Sequence, residues 1–110
     1  MAALAVQTVS LAGVTPAYVA GAEAGDTFYN DGRTFLHVKN GNGAASRTVT
    51  INSLVNCSQG HDHDIAVVVP LSSEKMIGPF PTSRFNNSSN VASVTYSDEA
   101  DLTIAAIKLE

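Results

Sequence analysis

Short runs of apolar residues, separated by turn-forming residues, recur along the whole chain. The segments 47–51 (RTVTI) and 91–96 (VASVTY) alternate between polar and apolar positions, as a strand does when one of its faces is buried. The segment 65–71 (IAVVVPL) is continuously apolar, which predicts a strand buried on both faces that ends, or lies at a sheet edge, at Pro70. Turn residues divide the chain into about eight predicted strands: 5–11, 26–29, 34–39, 47–51, 65–71, 74–78, 91–96 and 102–108.

The clearest turn signal is Asn40-Gly41-Asn42-Gly43, because Asn and Gly adopt the positive φ angles of tight hairpin turns. It stands between the strands 34–39 and 47–51, so these two strands are predicted to pair as a hairpin. The side chains predicted to face the core are Leu36, Val38, Val49, Ile51, Leu102 and Ile104. Ala92, Val94 and Tyr96 are predicted to share one face of their strand.

Strands at this spacing are typical of an antiparallel sandwich or barrel, and not of alternating strands and helices. We therefore predict an all-β fold over residues 1–110, a single antiparallel β-sandwich of Greek-key or jelly-roll type. Residues 1–25 would form the first strand and an extended arm, with a short helix at 17–24 as the alternative. Residues 109–110 (Leu-Glu) are given no structural role, because they could be the remnant of a cloning tag.

The low content of charge is the main departure from an ordinary composition. Charged residues make up 15% of the 110 residues, against the usual quarter, which leaves neutral surface for contacts with other proteins. The net charge is −4 and the six cations are scattered, so no basic stripe for nucleic acid is predicted. No membrane span is predicted, because the sequence has no run of about 18 apolar residues. No signal peptide is predicted either, because such a peptide begins with a positively charged region and the first cation here is Arg33.

The most specific chemical motif is the loop with Cys57, His61 and His63, in which Asp62 and Asp64 alternate with the histidines. These side-chain types bind zinc and related metals. A structural zinc site is usually marked by two paired spacings, and this chain has one cluster only. We therefore predict no metal and no cofactor. A small metal-dependent enzyme centred on the two histidines remains an alternative.

Other chemistry has weaker support in the sequence. The Gly-x-Ser-x-Gly nucleophile motif is missing, and no helical pattern follows Gly41 and Gly43, as a phosphate-binding loop requires. The acidic run 98–101 (DEAD) is interpreted as a solvated turn, with calcium binding as the alternative. His37 shares a strand face with Phe35 and Lys39, opposite to the core, and is predicted to be exposed or at an interface. No enzymatic activity is predicted.

Several longer motifs resemble small virion proteins of tailed phages and prophages. The motifs are 25–28 (GDTF), 30–41 (NDGRTFLHVKNG), 47–51 (RTVTI), 67–71 (VVVPL), 76–80 (MIGPF), 94–96 (VTY) and 102–108 (LTIAAIK). Together they span about residues 14–108. They consist of strands and turns and contain no catalytic residues.

The resemblance implies a β-sandwich subunit of the virion, assembled in the host cytoplasm. Such a protein would decorate or stabilise the capsid by binding the lattice of the major capsid protein, as a homo-oligomer such as a trimer. A tail or head–tail connector component is an alternative. So is a ligand- or carbohydrate-binding module, although such modules normally present several Trp or Tyr rings, and this chain has no Trp and three Tyr.

Partner contacts are expected in two places. The first is the N-terminal arm, with Tyr18. The second is the proline-containing loop at 79–85, with Phe80 and Phe85. For Phe80, burial inside the fold is the alternative.

Overall fold

The computed structural model describes residues 2–53 and 64–109, and these residues form ten strands and one short helix. The strands in chain order are β1 (Ala2–Leu4), β2 (Val6–Val9), β3 (Val19–Ala20), β4 (Asp26–Tyr29), β5 (Thr34–Asn40), β6 (Arg47–Ile51), β7 (Ile65–Val69), β8 (Ser73–Ile77), β9 (Val91–Tyr96) and β10 (Leu102–Leu109). The helix α1 (Thr82–Phe85) lies between β8 and β9. Over residues 2–53 and 64–109, the structure has no helix with the length and apolar character of a membrane span.

The strands form two sheets that enclose one core. Sheet I has the order β1-β4-β9-β6-β7, and sheet II has the order β2-β10-β5-β8, with β3 also pairing with β10. The predicted all-β sandwich is confirmed. The sheets are mixed and not purely antiparallel, however, because β1 runs parallel to β4 and β2 runs parallel to β10.

The first predicted strand, 5–11, is confirmed as a strand with shorter bounds, Val6–Val9, and a second strand, Ala2–Leu4, precedes it that was not predicted. The chain forms β1 at the edge of sheet I, passes Ala5, and continues as β2 at the edge of sheet II. One short segment therefore spans the gap between the two sheets on this side of the sandwich. The alternative helix at 17–24 is replaced by β3 and by a turn in which the amide of Gly25 donates to the carbonyl of Ala22.

The predicted hairpin between β5 and β6 is wrong, because the two strands belong to different sheets. β5 pairs with β10 and β8, whereas β6 pairs with β7 and β9. The connecting loop is held by the buried side chain of Asn40, which donates to the carbonyls of Ala45 at 3.1 Å and Val69 at 3.2 Å. The turn residues thus carry the chain from one sheet to the other.

The predicted core faces are confirmed, since alternation along a strand identifies its buried face. Leu36, Val38, Val49, Ile51, Leu102 and Ile104 are all buried in one cluster. Ala92 and Val94 belong to the same cluster, and Tyr96 packs against it.

The continuously apolar strand β7 differs from its prediction. It ends before Pro70 and lies at the edge of sheet I, as the proline indicated. Its burial on both faces is wrong, because Val68 is 50% exposed and Ala66 is exposed as well. At the other end of the chain, Leu109 belongs to β10 and pairs with Val9 of β2. Leu109 therefore does have a structural role.

Candidate functional site

The metal-ligand candidates Cys57, His61 and His63 lie outside the described residues, so the prediction about them stays a prediction. Within 2–53 and 64–109, no group of three or more His, Cys, Asp or Glu side chains is arranged to hold a metal ion. Asp98 and Asp101 from the acidic turn contact different neighbours. Asp98 lies 3.7 Å from the guanidinium of Arg47, and Asp101 accepts a hydrogen bond from the amide group of Asn42.

The part of the N-terminal arm that follows β2, residues 10–18, is fastened to the outer face of sheet II. The side chain of Gln7 makes two hydrogen bonds to the backbone of Ala17, donating to its carbonyl at 3.0 Å and accepting from its amide at 2.7 Å. The next residue, Tyr18, places its hydroxyl 2.6 Å from Nδ1 of His37 and its ring edge-on to the imidazole. Tyr18 is half-buried, and its polar group is used within the fold.

His37 connects this arm to the edge of sheet II. It lies on the face opposite to the core, as predicted, but the arm leaves it only 7% exposed, so the prediction of an exposed histidine is wrong for this chain. Its Nε2 lies 3.4 Å from the carboxylate of Glu74. In the neutral imidazole, the Tyr18 hydroxyl donates to Nδ1 and the proton on Nε2 points to Glu74. Lys39 completes the group, with its ammonium 4.0 Å from the centre of the Tyr18 ring.

A mostly apolar cavity of about 180 Å³ lies beside the attached arm. Its lining includes Gln7 and Ala17 from the attachment, Val19 from β3 and Ala105 from β10. No lining side chain titrates, so the cavity offers shape and apolar contact and no catalytic group.

Phe80 and Phe85 both lie in the core. This corrects the expectation that Phe85 contacts a partner, and for Phe80 it confirms the alternative of burial inside the fold. The Phe80 ring lies 5.6 Å from that of Phe28 and 5.7 Å from that of Phe85. Offset and edge-on ring contacts at such distances are favourable. The physical reason for the error is α1, which turns Phe85 inward within a segment whose sequence is otherwise polar.

Two asparagines hold this aromatic segment against the sandwich. The amide group of Asn30 donates to the carbonyl of Phe80 at 3.2 Å and to Oδ1 of Asn86 at 2.8 Å. In return, the amide group of Asn86 donates to the carbonyl of Asn30 at 2.6 Å. The contact between Asn30 and Asn86 joins residues that are 56 positions apart in the sequence.

The pair Asp26 and Tyr96 is a buried polar contact that the sequence analysis missed. The Tyr96 hydroxyl donates to the Asp26 carboxylate at 2.5 Å, and the amide of Ala22 donates to the same oxygen at 3.2 Å. The pKa of Tyr96 is raised above its ordinary value, mainly by burial and to a smaller extent by this hydrogen bond. The hydroxyl therefore stays protonated and connects β4 to β9. No feature of either strand alone indicates the contact.

The five described strands of sheet I place no charged side chain on the outer face of the sheet. Its strands contain two charged residues, Asp26 and Arg47, and both are buried on the inner side. The side chains that alternate outward are Ala3, Thr27, Tyr29, Thr48, Thr50, Ala66, Val68, Val91, Ser93 and Thr95. We call this set the neutral face. It runs across all five strands of the sheet to the edge strand β7.

The described residues thus offer a broad uncharged surface for contact on sheet I. Comparisons of the chain with protein-family models, with curated proteins and with solved structures find no match.

Proposed function

We propose that this protein is a structural component of a phage or prophage virion. It decorates or stabilises the capsid by binding the lattice of the major capsid protein. Two features support the proposal: the strand and turn motifs that resemble small virion proteins, and the neutral face. The neutral face carries the argument, because a broad surface without charge loses little on desolvation when it meets another protein.

The neutral face lies on a sheet that the core supports from behind. Its central residues Thr50 and Thr95 are directly paired across β6 and β9, on a sheet supported from behind by the core. Hydroxyl groups on such a surface form hydrogen bonds without the cost of burying an ion. A capsid repeats the same site many times, so modest contacts made by an oligomer add up to strong binding.

The first experiment is co-sedimentation with purified capsids of the parent phage, at increasing concentrations of the protein. We expect saturable binding at a fixed ratio to the major capsid protein. The variant Thr50→Lys puts an unpaired charge at the centre of the neutral face and should weaken binding about tenfold or more. The matched control is Ser83→Lys, which adds the same charge at an exposed position on α1 and should bind like the original protein.

Two results would contradict the proposal. Absence of binding to capsids rules out decoration and favours a tail component. Equal weakening by both lysine variants would show that general charge, and not the neutral face, controls binding.

A further inference from the structure

The edge strand β7 combines an exposed position with a sequence that belongs in a protein interior. All five residues of Ile65–Val69 are apolar, and the strand pairs with β6 on one side only among the described residues. Ile65, Val67 and Val69 face the core, whereas Ala66 and Val68 face outward and are exposed. An apolar pattern on both faces predicts two covered faces.

Strand β10 shows how this fold satisfies the same pattern elsewhere. Residues 104–107 (IAAI) are also continuously apolar, and all four are buried. The core covers Ile104 and Ala106, while Ala105 and Ile107 lie on the side of sheet II to which the arm is fastened. Within the described residues, β7 has no such cover for Ala66 and Val68.

Among the described residues, nothing gives the edge of β7 the usual protection against pairing with another strand. Exposed edges in natural proteins carry charges, prolines or bulges that discourage such pairing. The neighbouring edge strand β8 has Glu74 and Lys75. β7 has no charge within the strand, and Pro70 comes only after the last paired residue, Val69. Alternate residues of β7 therefore present backbone donors and acceptors along an uncharged edge.

We infer that β7 pairs antiparallel with β7 of a second copy of this chain, about a twofold axis at Val67. In this register Ile65 lies opposite Val69, Ala66 lies opposite Val68, and Val67 lies opposite itself. The strand fits its own copy because both edges are neutral and every cross-strand pair is apolar. The two neutral faces then join across the axis into one continuous surface.

This inference goes beyond the proposed function, because it concerns the association of two copies and does not require a capsid. A twofold contact of this kind closes at two copies. The capsid-binding assay and the oligomeric state can therefore fail independently of each other.

The test is the mass of the full chain by sedimentation equilibrium over a wide concentration range. We expect a monomer–dimer equilibrium. Val68→Lys keeps the core unchanged, because the side chain faces outward, but it places two like charges on diagonal positions across the axis. The dimer should weaken about tenfold or more. Val68→Thr, which keeps a β-branched side chain, should still form dimers.

A mixture of two charged variants distinguishes the inference from simple misfolding. Val68→Lys and Val68→Glu should each be monomeric and folded, and their mixture should form dimers again, because opposite charges then meet across the axis. A protein that stays monomeric at all concentrations overturns the inference. So does a trimer, a dimer that resists Val68→Lys, or a mixture of folded charged variants that does not associate.

Discussion

The outer faces of the two sheets differ in their charge and in how far the rest of the chain covers them. Sheet II carries a histidine, a lysine and a glutamate on its outer face, and Tyr18 of the N-terminal arm contacts His37 and Lys39 there. The five described strands of sheet I place no charged side chain on their outer face, and Val68 and Thr95 are exposed there. Within the described residues, the arm thus covers part of the outer face of sheet II, and the outer face of sheet I is left open.

The difference accounts for the patterns of apolar residues along the strands. Strands of sheet I such as β6 (RTVTI) and β9 (VASVTY) alternate, because one face is buried and the other is not. Strand β10 (LTIAAIKL) contains consecutive apolar residues, because both of its faces are buried. β7 is the exception, with consecutive apolar residues on the open sheet, and this exception points to a second copy.

The largest effect is expected from shortening a buried side chain on the outer face of sheet II. Ile107 is only 3% exposed, so Ile107→Ala should lower the free energy of unfolding by about 2–5 kcal/mol. The matched change on the open face is Val68→Ala, at a half-exposed position, which should cost less than about 1 kcal/mol. Denaturant unfolding at low protein concentration gives both values. Equal losses would show that the two faces are equally buried in solution.

The second prediction concerns the hydroxyl that fastens the arm. Tyr18→Phe keeps the ring against His37 and Lys39 but removes the partner of Nδ1. Because a largely buried nitrogen then lacks its hydrogen bond, the free energy of unfolding should fall by about 1–3 kcal/mol. Tyr29→Phe on the open face is the control, and its effect should stay within about 0.5 kcal/mol. If the two variants unfold alike, the Tyr18 contact contributes nothing to stability.

The third prediction concerns the attachment of the arm alone. Gln7→Ala removes both hydrogen bonds to Ala17 and should destabilise the attached arm by about 1 kcal/mol, since these bonds are partly exposed to water. Hydrogen exchange of the Ala17 amide should then be roughly fivefold faster. Thr95→Ala, on the open face, should leave this amide unchanged. An unchanged exchange rate in Gln7→Ala would mean that other contacts hold the arm.

The smallest effect is expected at a turn outside both faces. The hydrogen bond from the Arg33 amide, assisted by the charge of Lys108, lowers the pKa of Asp31 below its ordinary value of 3.8. A lowered pKa means that the ionised carboxylate stabilises the fold above 3.8 and that this contribution is lost as the pH falls further. Asp31→Asn should therefore be slightly less stable at neutral pH, and the difference should shrink on the acid side of 3.8. Unfolding curves of both proteins at neutral pH and on the acid side of 3.8 test this prediction. A difference in the free energy of unfolding that does not change with pH would contradict it.

Much of the candidate surface could be predicted from local pattern, and much of its surroundings could not. Alternation placed Thr48 and Thr50 outward and Val49 and Ile51 inward, and the structure confirms each of them. Phe85 was misplaced because its neighbours in sequence are polar, while its neighbours in space are Phe80 and the rest of the core. The same reasoning missed Asp26 with Tyr96, since the two residues are 70 positions apart.

The sequence alone determined that this chain forms strands, where several of them lie, and which side of each faces the core. β4 and β9 match their predicted bounds, because the period of two and the turn residues at each end are local properties. Only the tertiary structure decided which strands pair. The loop 41–46 connects β5 and β6, which lie in different sheets and do not pair with each other. Ala5 likewise separates β1 and β2, which belong to opposite sheets. Periodicity records which face is buried, whereas strand pairing depends on contacts between residues far apart in the chain.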